Sequence, residues 1–168
     1  MTSTCMTHHI NAPRAAVYRA LLDPNAIEKW KVPDGMSCRV HYFDARVGGA
    51  FRISLTYDRP TGTGKTTART DTYRGRFEKL VEDEELVEVD EFETDDPALR
   101  GEMRITITLI DANGGTDLRA VHEGLPSGLS STDNQYGGVV VSVFSSSLSD
   151  IEPIRSVKVA RIRLTLGA

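Results

Sequence analysis

From Cys38 to Gly124 apolar and polar residues alternate almost without a break, the period of strands that bury one face. Val40 and Tyr42 alternate with Arg39 and His41. Phe51, Ile53, Leu55 and Tyr57 alternate with Arg52, Ser54 and Thr56. Met103, Ile105, Ile107 and Leu109 alternate with Arg104, Thr106 and Thr108, and Leu118, Ala120 and His122 alternate with Arg119 and Val121. Between these runs lie turn signals. Val47-Gly48-Gly49 and Asp111 to Gly115 are tight turns, Asp58 to Lys65 and Thr94 to Gly101 are loops, and Pro126 to Gly128 ends the pattern. Thr70 to Val81 and Leu86 to Glu93 make one further pair around Glu82 to Glu85. The prediction is a long antiparallel meander.

Ahead of the meander, His8 to Asn11 reads as a short strand. Pro13 opens a helix over Arg14 to Leu22, with Val17, Leu21 and Leu22 on one face, and Asp23-Pro24 ends it. Asn25 is the expected cap of a second helix, Ala26 to Lys31, in which Ile27 and Trp30 share a side. Pro33-Asp34-Gly35 is a turn. A sheet with one apolar face must cover that face. Two short helices are little cover, so the function turns on what else lies over the sheet: a packed helix, a small apolar ligand, or both.

Composition narrows the choice. The 168 residues fit one domain with a sizeable core, and 39% apolar with 26% charged residues is neither a disordered nor a membrane composition. No apolar run reaches the roughly 20 residues of a membrane span, and Met1 to Thr7 lacks a secretion-signal pattern. Two cysteines, Cys5 and Cys38, make no disulfide framework. A reduced, cytoplasmic protein is the default expectation. A net charge of −4 argues against nucleic acid as the main partner.

The charge is patterned. Eleven acidic residues and one basic residue, Arg100, lie between Glu82 and Glu102, after a basic stretch from Lys65 to Lys79. Opposite blocks on adjacent strands suggest a hairpin paired by charge. With Val81 facing Leu86, Lys79 would face Glu88, Arg76 would face Glu91 and Arg74 would face Glu93. Tyr73, Gly75, Phe77 and Phe92 would then share the inner face, and Asp90 joins them by parity.

His8 to Asn11 with Ala12-Pro13, Lys29-Trp30 before Pro33, the run Val47 to Arg52, and His122-Glu123-Gly124-Leu125-Pro126 together resemble the START-like (SRPBCC, Bet v-like) superfamily. Within it they are most similar to the bacterial branch related to the C-terminal domain of activators of the heat-shock protein 90 ATPase. The resemblance covers residues 8–137. It implies an α+β helix-grip fold: a curved antiparallel sheet of six to seven strands around a long C-terminal helix, with a cavity between them. It also implies that activities differ among members, from lipid or hormone binding to polyketide cyclisation, and it does not by itself carry over co-chaperone activity. Residues 138–168 depart from the family pattern. Members similar to this chain follow the equivalent of Asp133-Asn134 with a Gly-Trp step and an amphipathic helix. Here Gly137-Gly138 leads into the β-branched run Val139 to Phe144, then serines and Pro153, and Val157 to Leu166 alternates like a strand. Either the tail is a divergent, poorly helical segment, or the reading frame shifts near Gly137-Gly138. The encoding DNA read in the alternative frame distinguishes the two.

The ligand-lining candidates on the inner face are Phe51, Ile53, Leu55, Tyr57, Tyr73, Phe77, Phe92, Met103, Ile105 and Ile107, with Tyr42 and His122 by parity. Trp30 and Met36 stand where helix gives way to sheet, at a possible cavity mouth. His122 and Asp90 are the catalytic candidates, as an acid–base pair on a bound polyketide-like substrate. Each also has a plain structural reading as a buried, hydrogen-bonded side chain. Adjacent His8-His9 and the lone Cys5 and Cys38 do not have metal-ligand spacing. Gly62-Thr63-Gly64-Lys65-Thr66 lacks full phosphate-loop spacing, and no serine sits in a nucleophile elbow. Nothing in the pattern calls for a cofactor or a metal. The first reading is a binding domain for a small hydrophobic or amphipathic ligand. A cyclase- or hydrolase-like enzyme and a chaperone-associated or stress-related module that docks through the acidic belt Glu82 to Asp96 are the alternatives.

Overall fold

The alternating runs form seven strands in one sheet. The structure is a computed structural model, and it describes residues 3–32, 35–59 and 64–129. In chain order the elements are β1 (Ser3–Ile10), α1 (Arg14–Leu21), α2 (Pro24–Trp30), β2 (Met36–Phe43), β3 (Ala50–Tyr57), β4 (Thr70–Val81), β5 (Glu85–Phe92), β6 (Met103–Ala112) and β7 (Gly115–Glu123). The sheet order is β1-β7-β6-β5-β4-β3-β2 and every pairing is antiparallel. β2 to β7 are thus a simple meander, and β1 returns to pair along the outside of β7. The expected closing helix, and the tail whose reading frame is in question, fall at 130–168, outside the described residues.

Several boundaries differ from the sequence expectation. β1 begins at Ser3, five residues ahead of His8, because Ser3 to Thr7 pairs with Glu123 to Arg119 along the edge. β2 begins at Met36, two residues ahead of Cys38, and pairs there with Tyr57. α2 is capped by Asp23, whose carboxylate accepts from the Asn25 backbone N–H at 2.9 Å, and Pro24 takes the first turn. The Asn113-Gly114 turn joins β6 to β7 with both residues at positive φ, +48° and +77°, the geometry that matches strand twist in a two-residue hairpin.

The β4–β5 register also differs. Val81 faces Glu85, Lys79 faces Val87, Phe77 faces Glu88, Arg76 faces Val89 and Arg74 faces Glu91. Glu78 is the extra residue of a β-bulge, and it breaks the strict alternation on which the predicted register rested. The charge pairs re-form with other partners. Lys79 meets Glu85 at 2.5 Å, Arg74 meets Glu91 at 3.1 Å, and Arg52 on β3 grips Glu93 with two hydrogen bonds of 2.8 and 2.9 Å. Arg76 binds Glu102 and Arg104 binds Glu78. Glu85, Glu91, Glu93 and Glu102, four of the eleven acidic residues of this stretch, are therefore held in a charge lattice on the outer face of the sheet. Val89 lies between Arg76 and Arg104 in that lattice and is buried from the outside. The apolar stems of the two arginines account for this.

α1 and α2 lie over the inner face. Ala16, Val17, Ala20 and Leu21 of α1 and Ala26, Ile27 and Trp30 of α2 join the sheet core. The Trp30 Nε1–H donates to the Ala20 carbonyl at 2.9 Å and fixes one helix against the other. Arg14 ties α1 to the β4–β5 turn through the Asp83 carbonyl at 3.2 Å and to the end of β6 through the Asp111 carboxylate at 3.0 Å.

Candidate functional site

The inner face is apolar over most of its area. Phe51, Ile53 and Leu55 on β3, Phe77 on β4, Phe92 on β5, and Met103, Ile105 and Ile107 on β6 are all buried there. Tyr57 and Met36 pair with each other at one end of β3 and β2 and are half-buried. Trp30 is buried in the helix–helix contact described above, the packing role, rather than presented at a mouth.

Tyr42 is a correction. His41 is the extra residue of a bulge in β2, so Val40 faces Ile53 while Tyr42 faces Arg52 on the outer side, 49% exposed. The bulge turns Phe43 inward in its place. Phe43 packs against Phe51 with ring centroids 5.7 Å apart and against Phe77 at 5.4 Å, and Phe51 lies 5.1 Å from Phe77. These three rings wall one side of the inner face.

Set into this apolar wall is a group of buried polar side chains. Lys31, the first residue after α2, sends its ammonium down to Glu88 on β5 at 2.7 Å, and both side chains are almost wholly buried. The same ammonium lies 5.6 Å from the Phe51 ring centre and 5.7 Å from that of Tyr73, on the cation-attracting faces of both rings. Asp90 stands two residues beyond Glu88 on the same face of β5, 2% exposed. Its carboxyl faces Gly75 on β4, where a Cβ would lie 2.5 Å from Asp90 Oδ1 and 2.3 Å from the edge of the Phe51 ring. Glycine at 75 is what lets the carboxyl and the ring share that space. Tyr73 is a diagonal neighbour of Asp90, because it pairs with Phe92.

Two atoms in the group have no hydrogen-bond partner although both are buried: the Tyr73 hydroxyl oxygen and Asp90 Oδ1. Buried polar groups are nearly always paired, and an unpaired one costs about 1–3 kcal/mol. Burial sets the protonation of these groups. Burial first and the Glu88 charge second hold the Asp90 carboxyl well above its ordinary value, against the opposing pull of Lys31. Burial first and Asp90 second hold the Tyr73 hydroxyl well above its ordinary 10. Burial is the largest influence on Lys31 and pulls it down, but the Glu88 charge and its hydrogen bond act the other way, with Asp90 adding to them only where it is ionised, and the balance leaves the ammonium above its ordinary value. Burial pushes the Cys38 thiol, next to Lys31, up to about 12. The group therefore sets one internal ion pair beside two side chains, Tyr73 and Asp90, that burial biases towards their protonated forms.

His122, the other catalytic candidate, is buried on the same face. It lies in one cross-strand row with Ile105 and Glu88, two strands away from β5 and offset by two residues from Asp90's row. At a strand spacing of about 4.8 Å, two strands put their backbones roughly 10 Å apart. Among the described residues no group of three or more His, Cys, Asp or Glu side chains is placed to hold a metal ion, and no helix is long and apolar enough to cross a membrane.

Parity alone already marked Asp90 and Tyr73. The pairing of Lys31 with Glu88 has no such mark in the sequence. Glu88 has the parity of Asp90 and so was legible as inward-facing, but the charge-paired register gave it to Lys79. Lys31 carried no signal in its own segment, since its partner is 57 residues away in the chain.

Seven antiparallel strands curved beneath two short helices, with an apolar inner face holding a few buried polar groups, define an α+β helix-grip domain of the START-like class. Residues 11–144 match the family described as activator of Hsp90 ATPase homolog 1-like protein, and the chain belongs to that family. Among solved structures it is similar to protein CV1439 from Chromobacterium violaceum, with a TM-score of 0.71 and 32% identity over 83% of this chain and 96% of that one. A protein from Staphylococcus epidermidis has a TM-score of 0.66 at 16% identity, covering 89% of this chain and 92% of that one. Ms6760 from Mycobacterium smegmatis has a TM-score of 0.59 at 20% identity, covering 71% of each chain. The last two similarities speak for the fold alone. No curated protein matches the chain.

Proposed function

We propose that this domain binds a small hydrophobic or amphipathic molecule against the inner face of its sheet, with the Tyr73–Asp90 corner receiving the ligand's polar end. The observation that carries the reading is the pair of buried, unpartnered atoms, Tyr73 Oη and Asp90 Oδ1, within a largely apolar wall. A ligand contributing apolar surface and one polar group would satisfy both features, and such sites are typically apolar with a few fixed polar contacts. Membership of the family supports a ligand-binding or chaperone-associated domain in general. The outer face favours the chaperone reading less, because Glu85, Glu91, Glu93 and Glu102 of the acidic stretch are tied into ion pairs within the sheet.

The test is calorimetry and thermal unfolding with amphiphiles of graded chain length, on the parent and on Ile107→Glu, which places a charge on the inner face away from the polar corner. Binding that lengthens with the alkyl chain and disappears in the folded variant supports the proposal. Binding of equal strength in both would place the ligand elsewhere on the protein.

A further inference from the structure

The ligand site just proposed carries its own specification of the polar end, and this inference rests on that reading. The buried group balances its charges internally. The Lys31 ammonium and Glu88 carboxylate are 2.7 Å apart and almost wholly buried. A ligand cation or anion brought beside them would enter a neutral pair in a low-dielectric wall and find no counter-charge of its own, which costs several kcal/mol. A neutral polar group meets no such penalty.

The remaining question is whether the corner donates or accepts hydrogen bonds. The Tyr73 ring is held edge-on to Phe51, with centroids 6.4 Å apart, and its hydroxyl makes no bond within the protein. Asp90 shares the inner face with it on the neighbouring strand, and Gly75 opens the space its carboxyl occupies. Asp90 faces Glu88 on its own strand, Lys31 just after α2, Gly75 and Tyr73 from β4, and Met103 from β6. With Glu88 two residues away and already bonded to Lys31, a second carboxylate at 90 would leave a net negative charge inside the core. The uncharged acid avoids this and supplies an O–H donor, as buried carboxylic acids do when they are kept neutral. Tyr73 Oη and Asp90 Oδ1, on neighbouring strands and both without a partner in the protein, can then present two O–H groups to one oxygen with two lone pairs.

We infer that the Tyr73 hydroxyl and the Asp90 carboxyl act as a paired hydrogen-bond donor for a single carbonyl oxygen, and that the ligand class is a neutral amphiphile with a ketone, ester or amide end. Carboxylates and alkylammonium ions of the same chain are discriminated against.

The experiment titrates the full chain at neutral pH with three sets of probes of six to twelve carbons: methyl ketones, fatty carboxylates and alkylammonium ions. The parent, Tyr73→Phe, Asp90→Asn and Asp90→Leu are compared, and the carbonyl carbon of a labelled ketone is followed by NMR. The ketones should bind at least about tenfold more tightly than either charged set. Tyr73→Phe and Asp90→Leu should each weaken them about five- to tenfold, the scale of one hydrogen bond. Asp90→Asn keeps a donor and should stay within about threefold of the parent. The carbonyl resonance should move downfield on binding, and less so in Tyr73→Phe. A preference for alkylammonium that Asp90→Asn abolishes would show an ionised Asp90 and overturn the inference, while leaving the ligand site intact. So would ketone binding indifferent to both Tyr73→Phe and Asp90→Leu, which would mean that the two groups meet only buried water. If no probe of any class binds, the inference falls together with the proposed function.

Discussion

Lys31 is a charged residue whose replacement should cost the fold heavily. Its ammonium is buried with Glu88 at 2.7 Å and lies over the Phe51 and Tyr73 rings. Both charges were taken out of water to make this pair, so its net worth relative to an apolar substitute is small, whereas breaking it strands one charge. Lys31→Met should therefore lower the unfolding free energy by about 3–5 kcal/mol, because Glu88 then stays buried without a counter-ion. The double variant Lys31→Met, Glu88→Leu should recover most of that loss. Urea unfolding of the parent, the single and the double variants measures both. A single variant as stable as the double would show that Glu88 takes up a proton or reaches water, and that the pair is not closed. Nothing in the local sequence around Lys31 foretold this role. A lysine that ends a helix ordinarily points to solvent, and only the distant Glu88 gives it a reason to turn inward.

At the scale of the elements, the alternating pattern gave away the strands and their inner faces, and two bulges account for what it misplaced. Period-two reading assumes that every residue advances the parity. His41 and Glu78 do not, and each resets its strand. That is why Tyr42 faces outward and Phe43 inward, and why the β4–β5 charge ladder has different partners from those that strict alternation assigns. A bulge has no firm local signature, because it is fixed by what the partner strand requires. Gly75 is the converse case, a residue whose sequence signal was only its parity and whose role comes from close approach. A Cβ there would fall 2.3 Å from the edge of Phe51 and 2.5 Å from Asp90 Oδ1. Phe51 is itself pinned by Phe43 and Phe77 and has little room to yield. Gly75→Ala should destabilise the protein by about 1–3 kcal/mol, the usual range for overpacking a dense core. It should also displace the Asp90 carboxyl and weaken the ligand site beyond what the stability loss explains. The checks are urea unfolding and a repeat of the ketone titration at a temperature where the variant is fully folded. An alanine variant with parent stability would mean that the Phe51 ring has space behind it.

For the whole molecule, the buried carboxyl of Asp90 makes stability depend on pH in an uncommon direction. Most carboxylates in folded proteins are held below their ordinary values, and they add stability as pH rises. Asp90 is held well above its ordinary 3.8, chiefly by burial and then by Glu88. The folded chain thus keeps a proton there that the unfolded chain releases. Asp90's contribution is fully present below about pH 3.8 and declines as pH rises from there towards its folded value, where the unfolded state binds fewer protons. Lys31 is held above its ordinary 10.5, so its contribution is intact throughout that range and falls away only in strong alkali. The surface carboxylates change charge in the same acidic window, which is why the raw stability curve cannot isolate Asp90, whereas a difference against Asp90→Asn can. Asparagine fills the same volume and has no proton to lose. The parent's unfolding free energy minus that of Asp90→Asn should therefore fall from pH 4 to pH 7, with a limiting slope of about 1.4 kcal/mol per pH unit. Urea unfolding of both proteins at three or four pH values across that span gives the difference directly. A difference that rises with pH would mean that Asp90 is ionised in the fold and shares Lys31 with Glu88, and the corner would then be an acceptor of hydrogen bonds instead of a donor.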